Sequence, residues 1–278
     1  MNRAARILVG GWLIVSGFAA SATAAPNVQF SAETVQAAPG KEEHHARIYV
    51  GDNQVRLEYT RDKVPRVEIY DMKHQRALLL MPQQKLYMER KVPVGQNTNP
   101  MLPPSDSNPC ARAPGAKCRQ LGRETLYGRP VLKWEMTMSH DGKELRSLQW
   151  IDAERHTPIR QEWPDGTVTD LQPLGQETLN GRRVERWLSI TKRPDGKTLK
   201  STQWYDPQLQ IAIREELPGG YVRELRNIQV GPQPESLFQV PAGYRLTTAR
   251  EQMQNQSGGA TGQGAPRQQR TAPYPARR

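Results

Sequence analysis

The side chains able to act on a substrate or hold a metal fall into a few small groups. Glu42-Glu43-His44-His45 has the composition of a metal site. In an extended strand, however, neighbouring side chains leave on opposite faces, so His44 and His45 diverge. His74, His140 and His156 are isolated from one another, two of them beside turns. No metal site is expected. Asp152, Glu154 and Asp206 have the chemistry of an acid/base set. They lie beside turn signals, with no apolar run to raise a carboxyl pKa, and are assigned surface roles. Ser105, Ser107 and Ser139 lack a nucleophile-elbow context, and no Walker-type or dinucleotide glycine loop occurs. The chain is read as having no catalytic residue, no metal and no cofactor.

Cys110 and Cys118 are the two cysteines, in the Pro-, Gly- and Ala-rich stretch NPCARAPGAKC. Their spacing is not the Cys-x-x-Cys of redox chemistry. In an oxidising compartment they should pair. A disulfide closing so short a loop contributes roughly 2.6 kcal/mol on the loop-entropy account.

The largest apolar side chains are Trp134, Trp150, Trp187 and Trp204. Turned inward, each buries up to about 200 Å². Two readings stay open. With Leu57, Tyr59 and Met136 they line a greasy pocket, or they are ordinary β-core packing.

These tryptophans belong to an internal repeat. Residues 121–171 and 174–225 align at an offset of 53, with Leu121 on Leu174, Gly128 on Gly181 and Trp134 on Trp187. After one inserted residue, Trp150 falls on Trp204, Asp152 on Asp206 and Ile159-Arg160 on Ile213-Arg214. So many matches around a single gap mark a duplicated supersecondary unit. Each copy reads as consecutive hairpins: β-formers from Val131 to Met138, the tight-turn pair Asp141-Gly142, a return over Glu144 to Ile151, then Pro158 to Trp163 and Thr167 to Leu171. The N-terminal part has the same character. In Gln54 to Thr60 the apolar Val55, Leu57 and Tyr59 alternate with Arg56 and Glu58, giving one apolar and one charged face. Residues 92–120 read as a connection holding the disulfide loop. The predicted fold is a mainly β, curved antiparallel sheet or half-open β-barrel of consecutive hairpins.

The ends of the chain bear on location. Met1 to Arg6 is basic, Ile7 to Ala20 apolar, and Ala22-Thr23-Ala24 small. That is the pattern of a secretory signal peptide over 1–24, cleaved near Ala24. No cysteine stands at the cleavage site, so a periplasmic protein that is not a lipoprotein is expected, with one β domain over 25–248. The mean hydropathy of −0.76 excludes a helical integral membrane protein. Residues 249–278 read as a low-complexity, disordered tail carrying five arginines and one acid. The formal charge is +11, of which the leader holds +2 and the tail +4. The folded part is only mildly basic, which argues against a nucleic-acid groove. The tail suits an anionic membrane surface or an envelope polyanion, or is simply solvated.

The segments RIYVGDNQVRLEY, RVEIYDMKHQRALLLMPQQKLYME and WYDPQLQIAIREELPGGYVRELRNIQVGPQPESLFQVPAGY, with Phe238-Gln239-Val240-Pro241, resemble LolA-like exported proteins, a superfamily that includes LolA, LolB and RseB-type domains. The resemblance implies an open half-barrel with an apolar concave face. It further implies a carrier of lipid or acyl ligands, or an envelope sensor. The duplicated tryptophan unit, the disulfide loop and the basic tail depart from LolA proper. The expected function is a non-enzymatic periplasmic binding protein for a hydrophobic or lipidic ligand. The alternative is a structural protein engaging an envelope partner through its sheet edges and tail.

Overall fold

The computed structural model describes residues 28–92, 107–113 and 115–251. The assigned leader, and the tail beyond 251, lie outside the described residues. Among the described residues, sixteen strands form one unclosed sheet. Its middle is β1 (Phe30–Ala37) and β2 (His44–Val50). From β2 the chain meanders through β3 (Gln54–Arg61), β4 (Val64–Asp71), β5 (Arg76–Met81) and β6 (Leu86–Lys91). The first repeat supplies β7 (Lys117–Leu126), β8 (Arg129–His140), β9 (Lys143–Asp152) and β10 (Pro158–Glu162), and β11 (Val168–Leu179) leads into the second. There follow β12 (Arg182–Lys192), β13 (Thr198–Asp206), β14 (Ile211–Leu217) and β15 (Tyr221–Val230).

Every one of these neighbours pairs as a hairpin except β1 with β15, where the first strand meets the last strand of the second repeat. That pairing joins the meander and the repeats into one surface. One element makes the sheet mixed rather than wholly antiparallel: β16 (Arg245–Leu246) lies parallel to β6. The C-terminal segment reaches that edge by crossing a sheet face, not by a tight turn, so a parallel approach is open to it. The region read as a connection also ends sooner than expected, because β7 begins at Lys117. Cys110 and Cys118 are disulfide-bonded, with Cα atoms 5.8 Å apart, and fix a short 3₁₀ turn to the start of β7.

The repeats match in three dimensions at the level of register. Trp134 faces Gln149, and Trp187 faces Gln203. Asp141 and Gly142 both take positive φ, as a type I′ hairpin demands.

The structure adds a relationship the sequence hid. Asp152 and Asp206 are 0% and 1% exposed, which corrects their assignment to the surface. Each carboxylate accepts two backbone N–H bonds from the following turn, Asp152 from Glu154 and Arg155, and Asp206 from Gln208 and Leu209. Each also pairs with the arginine that opens its hairpin, Arg129 or Arg182. Asp71, at the end of β4, is 0% exposed and built alike, with His74 N–H, Arg76 and Gln54 as donors. In all three turns the fourth residue after the aspartate has positive φ: Gln75, His156 and Gln210. Strands β3 to β6 are thus a third, diverged copy of the unit. Burial of these carboxylates is tolerable only because each is fully hydrogen-bonded.

Candidate functional site

Six neighbouring strands, from β4 through β3, β2, β1 and β15 to β14, line a single hollow of about 910 Å³. Strands that far apart in the sheet share a hollow because the sheet curls toward this face. Its floor follows from strand alternation. Ile48, Leu57 and Val55 project to one face, and Ile213 and Leu225 extend it across the β1–β15 junction. Ile48, Val55, Ile213 and Leu225 are buried, while Leu57 and Tyr70 are half-buried.

The rim is polar. Tyr59 Oη donates to Glu68 Oε1 at 2.6 Å, and Tyr70 Oη donates to Glu68 Oε2 at 2.9 Å. Burial pushes the Tyr59 phenol up, the hydrogen bond to Glu68 adds to it, and it rises to about 12. Tyr70 is raised in the same direction, chiefly by burial. Both hydroxyls therefore remain donors at neutral pH. Across the hollow, Arg214 pairs with Glu216 and Glu224 and lies 5.3 Å from the Trp204 ring centroid. His44 borders the hollow, while His45 turns to Glu33 (2.7 Å) and Glu43 (3.2 Å).

On the opposite face, β4 and β5 are covered, while β1, β2 and β3 border a second, more polar hollow of about 1000 Å³. Leu237 and Phe238, with Val240 and Tyr244, pack on Val67, Ile69, Leu78 and Leu80. Phe238 sits so close to Gly51 that a Cβ there would lie 2.7 Å from its ring. Arg56 donates to the Leu237 carbonyl at 2.8 Å.

Of the residues singled out in the sequence, Leu57 and Tyr59 line the hollow. Trp150 and Trp187 sit in one buried cluster with Val131, Ile159 and Tyr205. Trp204 belongs to the larger cluster beneath the hollow, with Val184 and Ile211. Trp134 and Met136 stand on β8, toward the far edge of the sheet, away from the hollow. Sequence reasoning missed Glu68 and Tyr70. Their signal was present: in VEIYD, Glu68 and Tyr70 share a face with Leu57, but a charged residue between apolar ones reads as solvent-facing.

No family model matches the chain, and no curated protein sequence matches it. Solved structures do. This chain is similar to LolA superfamily proteins. A LolA superfamily protein from Nitrosomonas europaea matches at 12% identity and a TM-score of 0.33, covering 77% of this chain and 90% of its own. A DUF1329 family protein from Desulfovibrio piger matches at 13% identity and a TM-score of 0.29, covering 77% and 90%. The MucA/MucB complex of Pseudomonas aeruginosa matches at 11% identity and a TM-score of 0.20, covering 74% and 94%. The resemblance read from the sequence is thus met again among solved structures. Overlaps this loose carry no argument about what the hollow holds, which rests on its own residues.

Proposed function

We propose that this protein is a non-enzymatic, exported binding protein of the cell envelope that holds a hydrophobic or lipidic ligand in the hollow. One observation carries the reading: a curved sheet face with an apolar floor lies open, with no helix laid across it among the described residues. Such a face must be covered or filled. The volume falls within the range of small-molecule pockets, about 300–1,000 Å³. A chain would be retained by area burial at about 0.8 kcal/mol per CH₂. Leu57 and Tyr59 are the lining residues in this reading, and the basic tail is an attachment to an anionic membrane surface.

A second reading is a structural or interaction protein. The observation favouring it is β7, the last strand of the sheet among the described residues and exposed along nearly its whole length, on which a partner strand could pair. One experiment separates the two. Titration of a fluorescent fatty-acyl probe should saturate at one site in the intact protein and fail in Leu57→Arg, which puts a charge on the floor. Mass spectrometry of an organic extract of the periplasmically purified protein should find a co-purifying amphiphile. An unsaturable probe signal together with a lipid-free extract leaves the interaction reading.

A further inference from the structure

We infer that the hollow selects ligands whose apolar chain ends in a cationic amine, and that Glu68 holds the amine. The inference rests on the hydrophobic-ligand reading above and adds the chemistry of the head group.

The argument lies in how the charges of the rim are matched. Arg214 is committed to Glu216 (2.8 Å) and Glu224 (3.2 Å). Arg223 pairs with Glu215, and Arg61 lies beside Asp62. Glu43 has His45 at 3.2 Å and Arg226 at 3.5 Å. Glu68 differs from all of these. Its two oxygens accept from Tyr59 and Tyr70, which are neutral donors, and among the described residues it forms no ion pair. The wall of an apolar hollow therefore carries one carboxylate held by neutral hydroxyls and not by an ion pair, with the Arg90 guanidinium acting on Tyr70.

A carboxylate offers about four lone-pair positions, so two hydroxyls leave room for further N–H donors. The tyrosines hold the carboxylate in place, and their ring faces are attractive to a cation. An ammonium entering beside Glu68 forms charge-assisted hydrogen bonds and offsets the cost of keeping the carboxylate partly out of water. An anionic head meets the reverse situation across the hollow, because Arg214 and Arg223 already face carboxylates.

The test compares three probes of one chain length, dodecylammonium, dodecanol and dodecanoate, by calorimetric titration at concentrations below micelle formation. Dodecylammonium should bind at least about tenfold more tightly than dodecanol, the scale of one charge-assisted hydrogen bond. Dodecanoate should bind more weakly than dodecanol. Glu68→Gln should bring the amine to the level of the alcohol. Should Glu68→Gln not fold, Glu68→Asp retracts the carboxylate by one methylene and should shrink the amine preference alone. Equal affinity for amine and alcohol in the unmodified protein, or a preference that survives loss of Glu68, overturns the assignment while leaving the hydrophobic site standing. No binding of any probe overturns both.

Discussion

Arg155, in the turn of the first repeat, forms a two-pronged clamp on Glu185 of the second, Nη1 to Oε2 at 2.7 Å and Nη2 to Oε1 at 2.6 Å. The same guanidinium lies 4.5 Å from the Tyr205 ring centroid and 6.0 Å from that of Trp187. The copies are therefore interlocked, because the turn of one covers the tryptophan face of the next. The succeeding turn carries Leu209 at the equivalent place, buried in the cluster with Ile48 and Val55. A cation caps one junction and an aliphatic residue the other.

Both partners of the clamp are only 17% exposed, so it is worth more than a surface pair. Arg155→Ala should lower stability by roughly 2–3 kcal/mol, since it strands a half-buried carboxylate. Arg155→Lys should recover a minor part, because an ammonium lacks the planar fork and stacks less well. Urea unfolding measures both. A lysine variant equal to the unmodified protein would show that charge alone matters at this junction.

The buried aspartates predict an acid limit on stability. Burial drives the Asp152 carboxyl up, but the hydrogen bonds from Arg129, Arg155 N–H and Glu154 N–H outweigh it and leave it below the ordinary value. Glu185 is lowered first of all by its hydrogen bonds from Arg155. A carboxyl depressed in the folded state stabilises fully above its unfolded pKa, about 4 for these groups, and loses that contribution as pH falls through the folded value. Unfolding free energy should hold steady near neutrality and drop below about pH 4. Asp152→Asn should be less stable at neutral pH and show a shallower acid decline. Parallel pH curves for the two proteins would contradict this.

The duplicated tryptophans should respond differently to loss of the indole N–H. Trp187 donates to Glu185 at 3.1 Å. Leu132 stands where the second copy has Glu185, and the Trp134 Nε1 is buried without a hydrogen-bond partner among the described residues. Trp187→Phe should cost about 1–3 kcal/mol by leaving part of the Glu185 site unsatisfied. Trp134→Phe should be close to neutral. Thermal unfolding of the two variants ranks them, and the opposite order would refute the account.

Much of this architecture was legible in the sequence for a local reason. Hairpins announce themselves through alternation and turn residues, so the strands around Asp141-Gly142 and Leu57 could be placed without a structure. The β1–β15 pairing could not, since nothing local in Phe30–Ala37 names a partner near the other end of the chain. The third copy was hidden because Gln54 and Leu57 occupy the places of Val131 and Trp134, leaving the aspartate and the turn as the shared signal. Asp152 and Asp206 were misplaced for a related reason. Proximity to a turn suggests exposure, yet these turns fold over their own aspartates, and the arginines that pair with them lie on another strand. At the hollow, alternation found Leu57 and Tyr59, but pairing two tyrosines with Glu68 required the register of β3 on β4.

That register leads to the last prediction. Tyr59 stands across from Arg66 in the ladder and reaches Glu68 diagonally. Its phenol is pushed up to about 12, by burial first and by Glu68 second. A phenol raised in the folded state favours folding below its unfolded pKa, near 10, and that contribution is lost as pH rises through the folded value. An ultraviolet titration of phenolate absorbance should therefore leave a late-ionising fraction, and Tyr59→Phe should remove one tyrosine from it. Glu68→Gln removes a neighbouring negative charge and should move that fraction to lower pH, because the phenolate is no longer repelled. Burial of Tyr59 is unaffected by that change, so the shift isolates the carboxylate's share. If the late fraction is unmoved in Glu68→Gln, burial alone holds Tyr59 protonated and the tyrosines do not orient Glu68.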